Sequence, residues 1–220
     1  MALFKYHPSQ FLDAFLDGEL RFQPLSYYQR HEMRGAIGDS HEAMRLFRPK
    51  AGLPIHNLTT GQKFVLPATF VSEVVANDVF VLCLSQHLDE ALARSLGYDA
   101  CVEIRDVRRF VRRLQAKLRA QPGSNVLLNR PVTYYNSEDP VGVNWALPDA
   151  IVMSKRAYFA DQQEYRLAFA DRRVLKIGNT IQRLQFGDIK SVEHPHVPEP
   201  RTLSIGDVRA IAVAHRWPAA

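Results

Sequence analysis

Apolar and polar positions change period several times along this chain, and each change marks an element. Leu3 to Tyr6 reads as a short strand. Phe11, Leu12, Phe15 and Leu16 then form one helical stripe, opened by Pro8-Ser9-Gln10 and stopped by Gly18. Leu20-Arg21-Phe22 is a second short strand closed by Pro24, and Ser26 to Gly38 is polar and mixed. Asp39-Ser40-His41-Glu42 is expected to cap a short helical segment, and Arg48 to Gly61 reads as a loop. From Lys63 the pattern turns to strand. Phe64 to Leu66, Phe70 to Val75 and Val79 to Ser85 are rich in β-branched and aromatic residues, with a turn signal at Asn77-Asp78. Leu88 to Leu96 is a helix ended by Gly97, and Ala100 to Ile104 a strand.

Asp106 caps the clearest helix, Val107 to Ala120, whose residues Val107, Phe110, Val111, Leu114 and Leu118 keep the helical period. Pro122-Gly123 stops it. Strand candidates follow at Val126 to Leu128, Val132 to Tyr135, Ile151 to Met153, Tyr165 to Phe169, Val174 to Ile177 and Ile181 to Phe186. Pro195, Pro198 and Pro200 mark an extended connection, and Ser204 to His215 fits either a helix or a strand. Helical patterns gather in the N-terminal half and strand patterns in the C-terminal half. That points to an α+β fold over 1–220 as one domain, with two packed, mostly antiparallel sheets around a cleft and no doubly wound parallel sheet.

Ala160 to Phe169 alternates polar and apolar residues. As a strand it places Gln162, Glu164 and Arg166 on one face and Gln163, Tyr165 and Leu167 on the other. Three polar groups at period two make either a solvated face with a Glu–Arg pair or the floor of a polar cleft.

Composition narrows this little. Of 220 residues, 46% are hydrophobic and 23% charged, as in an ordinary globular protein. The net charge of +5 favours an acidic partner, a phosphate-bearing cofactor or nucleic acid, without demanding one. The cysteines Cys83 and Cys101 lie in strand-like runs and lack the spacing of a zinc site, so no metal is expected and a reducing, cytoplasmic setting fits. No secretion signal stands at the N-terminus, and no apolar run approaches the ~20 residues of a membrane span, so no membrane partner is expected. Phosphate-loop, dinucleotide-fingerprint, serine-hydrolase and zincin motifs are absent from the sequence. His194-Pro195-His196 offers too few ligands for a metal.

Two further stretches carry candidate chemistry. The helix face bearing Arg108, Arg109, Arg112, Arg113, Lys117 and Arg119 is either a solvated face or a phosphate-contacting one, with Arg109, Arg112 and Arg113 as its centre. Tyr27-Tyr28 and the loop from Arg34 to Glu42 mix aromatics, arginine and carboxylates, which suits either a ligand or a loop that packs its tyrosines.

Several segments, in order, resemble the DUF2971-like family of bacterial and phage proteins. They are Phe4-Lys5-Tyr6 with the helix after it, Leu20 to Tyr28, Gly38 to Glu42, Val79 to Ser85, Gly97 to Ile104 and Gln163 to Leu167. The resemblance implies a layout similar to that of ADP-ribosyltransferases. Lys5 or Tyr6 would stand on the first strand, Ser85 at the end of a central strand, and Gln162 with Glu164 on a late strand. The chain departs from that layout in lacking an arginine on the first strand and in having Leu84-Ser85-Gln86 where a Ser-Thr-Ser would stand. The substrate would be NAD, and the acceptor a nucleic acid or a protein, in a toxin, defence or phage factor. Glu164 would stabilise the developing ribosyl cation and Gln162 would orient the acceptor. Ser85, Tyr28, Lys5, Tyr6 and Arg166 would line the cofactor. The alternative from the residues themselves is a non-catalytic nucleic-acid-binding module built on the basic helix.

Overall fold

A computed structural model of the chain describes residues 1–30, 39–123, 125–189 and 196–217. The strands, in chain order, are β1 (Leu3–His7), β2 (Glu19–Pro24), β3 (Met44–Phe47), β4 (Leu53–His56), β5 (Lys63–Leu66), β6 (Ala68–Glu73), β7 (Val79–Ser85) and β8 (Ala100–Ile104). They continue with β9 (Asn125–Pro131), β10 (Thr133–Tyr135), β11 (Ser154–Arg156), β12 (Glu164–Asp171), β13 (Ile181–Phe186), β14 (Arg201–Ser204) and β15 (Ala212–Arg216). The helices are α1 (Leu12–Leu16), α2 (Leu25–Arg30), α3 (Glu90–Ser95), α4 (Val107–Arg119) and α5 (Pro148–Val152).

β7 carries apolar residues on both faces, and such a strand is stable only with both faces covered, so it lies mid-sheet. β12 runs antiparallel along one whole edge of it, from Glu164 opposite Ser85 to Ala170 opposite Val79, and β9 pairs outside β12. The other edge of β7 is shared. β1 meets it at Phe4 opposite Ser85, while β2 meets it at Gln23 opposite Val81 and Pro24 opposite Phe80. β8 and β15 extend the sheet from β1, and β14 extends it from β2. Between those two contacts β1 and β2 diverge, and the gap beside Leu82 to Leu84 opens a cleft.

One face of this sheet is covered by α1 and α4, which pack Leu12, Phe15, Phe110 and Leu114 on Leu82, Leu84, Leu167 and Phe169. The other is covered by α2 and α5, with Leu25, Ile151 and Val152 on Val79, Val81, Ala168 and Ala170. The remaining strands form a three-stranded sheet (β13-β6-β3), the β4–β5 hairpin and the parallel pair β10–β11. The architecture is α+β and mostly antiparallel, but its helices are spread from residue 12 to residue 152 rather than gathered at the N-terminus. No helix among the described residues is long and apolar enough to cross a membrane.

Gly18 stops α1 as its sequence position predicts. It takes φ +89, and a Cβ there would collide with the backbone of Gly206, so the turn leading into β2 closes tightly on the one after β14. Other expectations fail for local reasons. Ile151-Val152-Met153 is the end of α5 and its cap, because Pro148 presets the first turn, and three buried apolar residues look alike in a strand and in one helical turn. Val174 to Ile177 is a turn nucleated by the Asp171 carboxylate, which accepts from the backbone N–H of Arg173. Residues 48–61, expected as loop, hold β4, and Ser204 to His215 contributes the end of β14 and most of β15 with no helix between. Asp39 to Glu42 is a tight turn into β3 without a helix. Of the tyrosine–arginine loop, residues 31–38 lie outside the described residues.

Candidate active site

The long alternating stretch is two pieces. Ala157–Gln162 is a 3-10 helix, Gln163 takes the left-handed region at φ +41, and the strand begins only at Glu164. Both faces of β12 are buried. Tyr165, Leu167 and Phe169 join the α4 side of the core, while Glu164 and Arg166 share the α2/α5 side with Ala168. Of the two readings of the polar face, the solvated one is excluded: Glu164 and Arg166 belong to a buried polar cluster. Though off the strand, Gln162 still reaches Glu164. Lys155 of β11 donates to Gln162 Oε1 at 2.8 Å and to Glu164 Oε2 at 3.1 Å.

Arg166 holds the opposite side. Its Nε donates to Glu164 Oε1 at 2.6 Å, its two terminal nitrogens fork onto Glu42 at 2.7 and 2.9 Å, and Nη1 also reaches the Val152 carbonyl. Arg166, Glu42 and Glu164 are 1%, 3% and 4% exposed, so these charges sit where an unpaired ion would be very costly. Burial opposes the charge of Glu164, but Arg166 and Lys155 outweigh it and hold its carboxyl well below the usual range. Glu164 is thus an anion at any physiological pH and a poor proton carrier. Burial also opposes the charge of Lys155, and Glu164 with Glu42 overcomes it, holding its ammonium above the ordinary value. Glu42 goes the other way, pushed up by burial despite the Arg166 fork.

Ser85, Glu164 and Phe4 stand in one row across β7, β12 and β1, side chains on a common face. They give onto the cleft. Its inner lobe, about 90 Å³, is walled by Lys5, Tyr6, Tyr28, Ser85, Gln162 and Glu164, with Cys83, Tyr98 and Lys155 among the remaining lining. An outer lobe of about 360 Å³ runs between β1 and β2 past His7, Phe11, Arg21, Gln23 and Tyr27. That volume lies within the range of small-molecule sites, for which pockets run from about 300 to 1,000 Å³. Lys5, Tyr28 and Tyr98 belong to both lobes.

Five of the expected ligand residues thus meet Glu164 in one place. Their polar atoms are partly committed. Lys5 Nζ donates to the Cys83 carbonyl at 3.1 Å; burial lowers its pKa, and an anion beside it would favour its charged form. The Tyr6 hydroxyl donates to the His87 carbonyl and accepts from the Asp89 N–H, pinning the loop after β7 and leaving its ring to the cleft. Ser85 Oγ donates to the Gln162 carbonyl at 3.1 Å and accepts from His87 N–H. The Tyr28 hydroxyl accepts from the Cys83 thiol, which burial pushes up to about 12 and so keeps unreactive. Arg166 lies behind Glu164 and does not line the cleft, so it organises the carboxylates and does not meet a ligand.

The basic helix is elsewhere. α4 packs on the other face of the sheet from Glu164. Arg109 and Arg112 are exposed, whereas Arg113 is half-buried and bonded to the Asp207 carbonyl, so it leaves the patch. Lys155, Glu42, Tyr98 and Tyr134, whose hydroxyl accepts the Glu164 N–H at 2.8 Å, were not singled out as functional residues by the sequence. Two of them lay in stretches that carried a signal: Glu42 in the loop from Arg34 to Glu42 that suits a ligand, and Tyr98 in the Gly97 to Ile104 segment of the family resemblance. Among the described residues no group of three or more His, Cys, Asp or Glu side chains is placed to hold a metal.

His7, at the base of the outer lobe, is 8% exposed, and its Nε2 has no partner. Burial and then the Lys5 charge lower its pKa from 6.5 to about 4. The unfolded chain binds the extra proton between those values, so stability is full above pH 6.5 and falls as pH drops toward 4, by up to about 1.4 kcal/mol per pH unit. His7→Phe is expected to flatten that part of the urea-midpoint profile. A parental slope in the variant would place the titration on other groups.

Comparison with family models, with curated proteins and with solved structures returns no match for this chain.

Proposed function

We propose that this chain is an NAD-dependent ADP-ribosyltransferase-like enzyme with Glu164 at its reacting centre. The observation that carries the reading is the meeting of Lys5, Tyr6, Tyr28, Ser85 and Gln162 around the Glu164 carboxylate, itself held by Arg166 and Lys155, in one two-lobed cleft. A dinucleotide is two flat heterocycles joined by a pyrophosphate. The lobes supply aromatic walls for the rings, and Lys5, common to both, supplies a cation at the junction. The resemblance to DUF2971-like proteins and their transferase-like layout agrees with this assignment.

In the reaction the bond between nicotinamide nitrogen and ribose C1′ breaks, and its electron pair leaves with nicotinamide. Positive charge builds on the ribose, and a nearby carboxylate stabilises that charge more in the transition state than in the ground state. Each Glu164 oxygen is held by one cation and retains acceptor capacity for a ribose hydroxyl. Because Glu164 does not take up protons, its contribution is electrostatic; the acceptor nucleophile forms the new bond to C1′ and its proton passes to solvent. Gln162, oriented by Lys155, faces the same cleft and is assigned to the acceptor.

Incubation with labelled NAD and cell lysate, before and after nuclease treatment, tests the reading. Nicotinamide release with label transfer is expected, and the nuclease arm separates nucleic acid from protein acceptors. A protein that neither binds nor cleaves NAD, alone or in lysate, would be no such enzyme.

One observation favours the second reading, RNA binding through α4. Arg108, Arg109, Arg112, Lys117 and Arg119 are exposed, and none makes an ion pair among the described residues. The triple variant Arg108→Glu, Arg109→Glu and Arg112→Glu is expected to weaken RNA binding at low salt. The slope of log K against log salt should shrink by about 2–3. Parental RNA binding and salt slope in that variant would leave α4 a solvated face.

A further inference from the structure

Among the described residues, the non-glycine residues at positive φ are Ala43, at +63, and Gln163, at +41. Each is the chain neighbour of a carboxylate gripped by Arg166, for Ala43 follows Glu42 and Gln163 precedes Glu164. A non-glycine residue in the left-handed region is strained and persists only where its surroundings over-determine it. Here both backbones are held in that state on either side of one guanidinium. The turn bearing Glu42 is itself tied down. Glu42 N–H donates to the Asp39 carbonyl, Gln29 Nε2 donates to the Glu42 carbonyl, and Val74 N–H donates to the Ala43 carbonyl. Asp39 N–H in turn donates to the carbonyl of Tyr28, a wall of the cleft.

The two-point fork from Glu42 fixes the plane of the Arg166 guanidinium, which a single bond would leave free to rotate. With that plane set, Nε points at Glu164 Oε1 at 2.6 Å. A buried ion pair adds little to stability over an apolar pair of the same size, so the fold alone gives no reason for this one. What an apolar pair lacks is a directed N–H. Glu42 does not line the cleft, so any influence on a reaction there passes through Arg166. We propose that Glu42 is a positioning residue for Glu164, acting through Arg166, and that the turn from Asp39 to Ala43 is part of the reacting apparatus. The proposal rests on the reading of Glu164 given above.

Glu42→Gln keeps the size of the side chain and loses the second acceptor oxygen of the fork. The expected result is a folded protein whose kcat for NAD cleavage falls roughly 10- to 100-fold, as misplacement of a reacting group does, while KM for NAD stays within about twofold. Glu42→Asp, which keeps the carboxylate, should recover part of the loss. In the Glu164→Gln background the same Glu42→Gln change should cost almost nothing, because a residue that acts through Glu164 has nothing left to position. Additive losses in the double variant, or parental kcat in a folded Glu42→Gln protein, would overturn the proposal.

A crystal structure of Glu42→Gln keeps the claim separable from the NAD reading and applies even if the parent is inert toward NAD. Displacement of the Arg166 guanidinium and the Glu164 carboxylate supports positioning. Both groups standing where they do now would refute it, whatever the activity.

Discussion

Glu164→Gln is expected to fold and to lose NAD cleavage and label transfer by about 10²–10³, the usual size of one preorganised electrostatic contribution. The amide nearly matches the carboxylate in shape and can still accept one hydrogen bond, but it brings no negative charge to a developing ribosyl cation. The substitution also touches the fold. It leaves Lys155 with Gln162 Oε1 and Arg166 with Glu42, so neither cation is stripped of all its partners. The stability loss should therefore be about 1–3 kcal/mol, the cost of weakening charged hydrogen bonds rather than of orphaning an ion. Gln162→Ala should behave differently, harming transfer to the acceptor more than hydrolysis of NAD to free ADP-ribose. Turnover of labelled NAD, read beside thermal unfolding, distinguishes these outcomes. A folded Glu164→Gln protein with parental activity would move the chemistry to another group.

Arg166→Met should give the largest loss of stability, about 3–5 kcal/mol at pH 7, because it removes the partner of buried charges. Glu42 would keep no cation within bonding distance among the described residues, and Glu164 would keep only Lys155. The sign of the pH dependence follows. In the parent, the depressed pKa of Glu164 gives stability that is present above the unfolded value of about 4.3 and is lost as pH falls through the native one. In the variant the largest influence holding that pKa down is gone, and Glu42, already pushed up by burial, rises further. Groups with raised native pKa values contribute stability below the unfolded value and lose it as pH rises. The gap between variant and parent in urea unfolding should accordingly narrow from pH 7 toward pH 4. Arg166→Lys should recover little, since an ammonium cannot fork onto Glu42 while reaching Glu164. A gap independent of pH, or one below about 1 kcal/mol, would contradict the account of these residues as a coupled buried ion cluster.

Elements with a strong local signature were legible. β7 and β8 follow their β-branched runs, and α4 follows its apolar stripe and its Asp106 cap, which accepts from Arg109 N–H at 2.9 Å. α5 was misread because one buried helical turn has no period to detect. β12 is more instructive: Tyr165 to Phe169 is a strand as its pattern predicts, and what the pattern leaves open is whether the polar face is solvated or floors a polar cleft. Its alternation of polar and apolar residues is real, but alternation identifies two faces without saying what covers them. The polar face met α5, Lys155 and the Glu42 turn in place of water. At the candidate site, Glu164, Gln162 and Ser85 were legible as residue types in suggestive places. Lys155 was not, because a lysine between Ser154 and Arg156 is indistinguishable from a solvated one until its neighbours are known.

The local conformations of this chain, and the stops between them, are written in its residues one short window at a time. Period, caps and breakers act over three or four positions, which is the range of the hydrogen bonds and side-chain contacts that enforce them. The cleft and its charges are not of that kind. The cleft exists because β1 and β2 take different ends of one edge of β7, a choice of register among strands far apart in the chain. The anionic state of Glu164 depends on Arg166, and the aim of Arg166 depends on Glu42, 124 residues away. Such an ion pair is favourable only once packing has removed the water around it, so the tertiary structure alone decides which carboxylate is held, by what and in which direction.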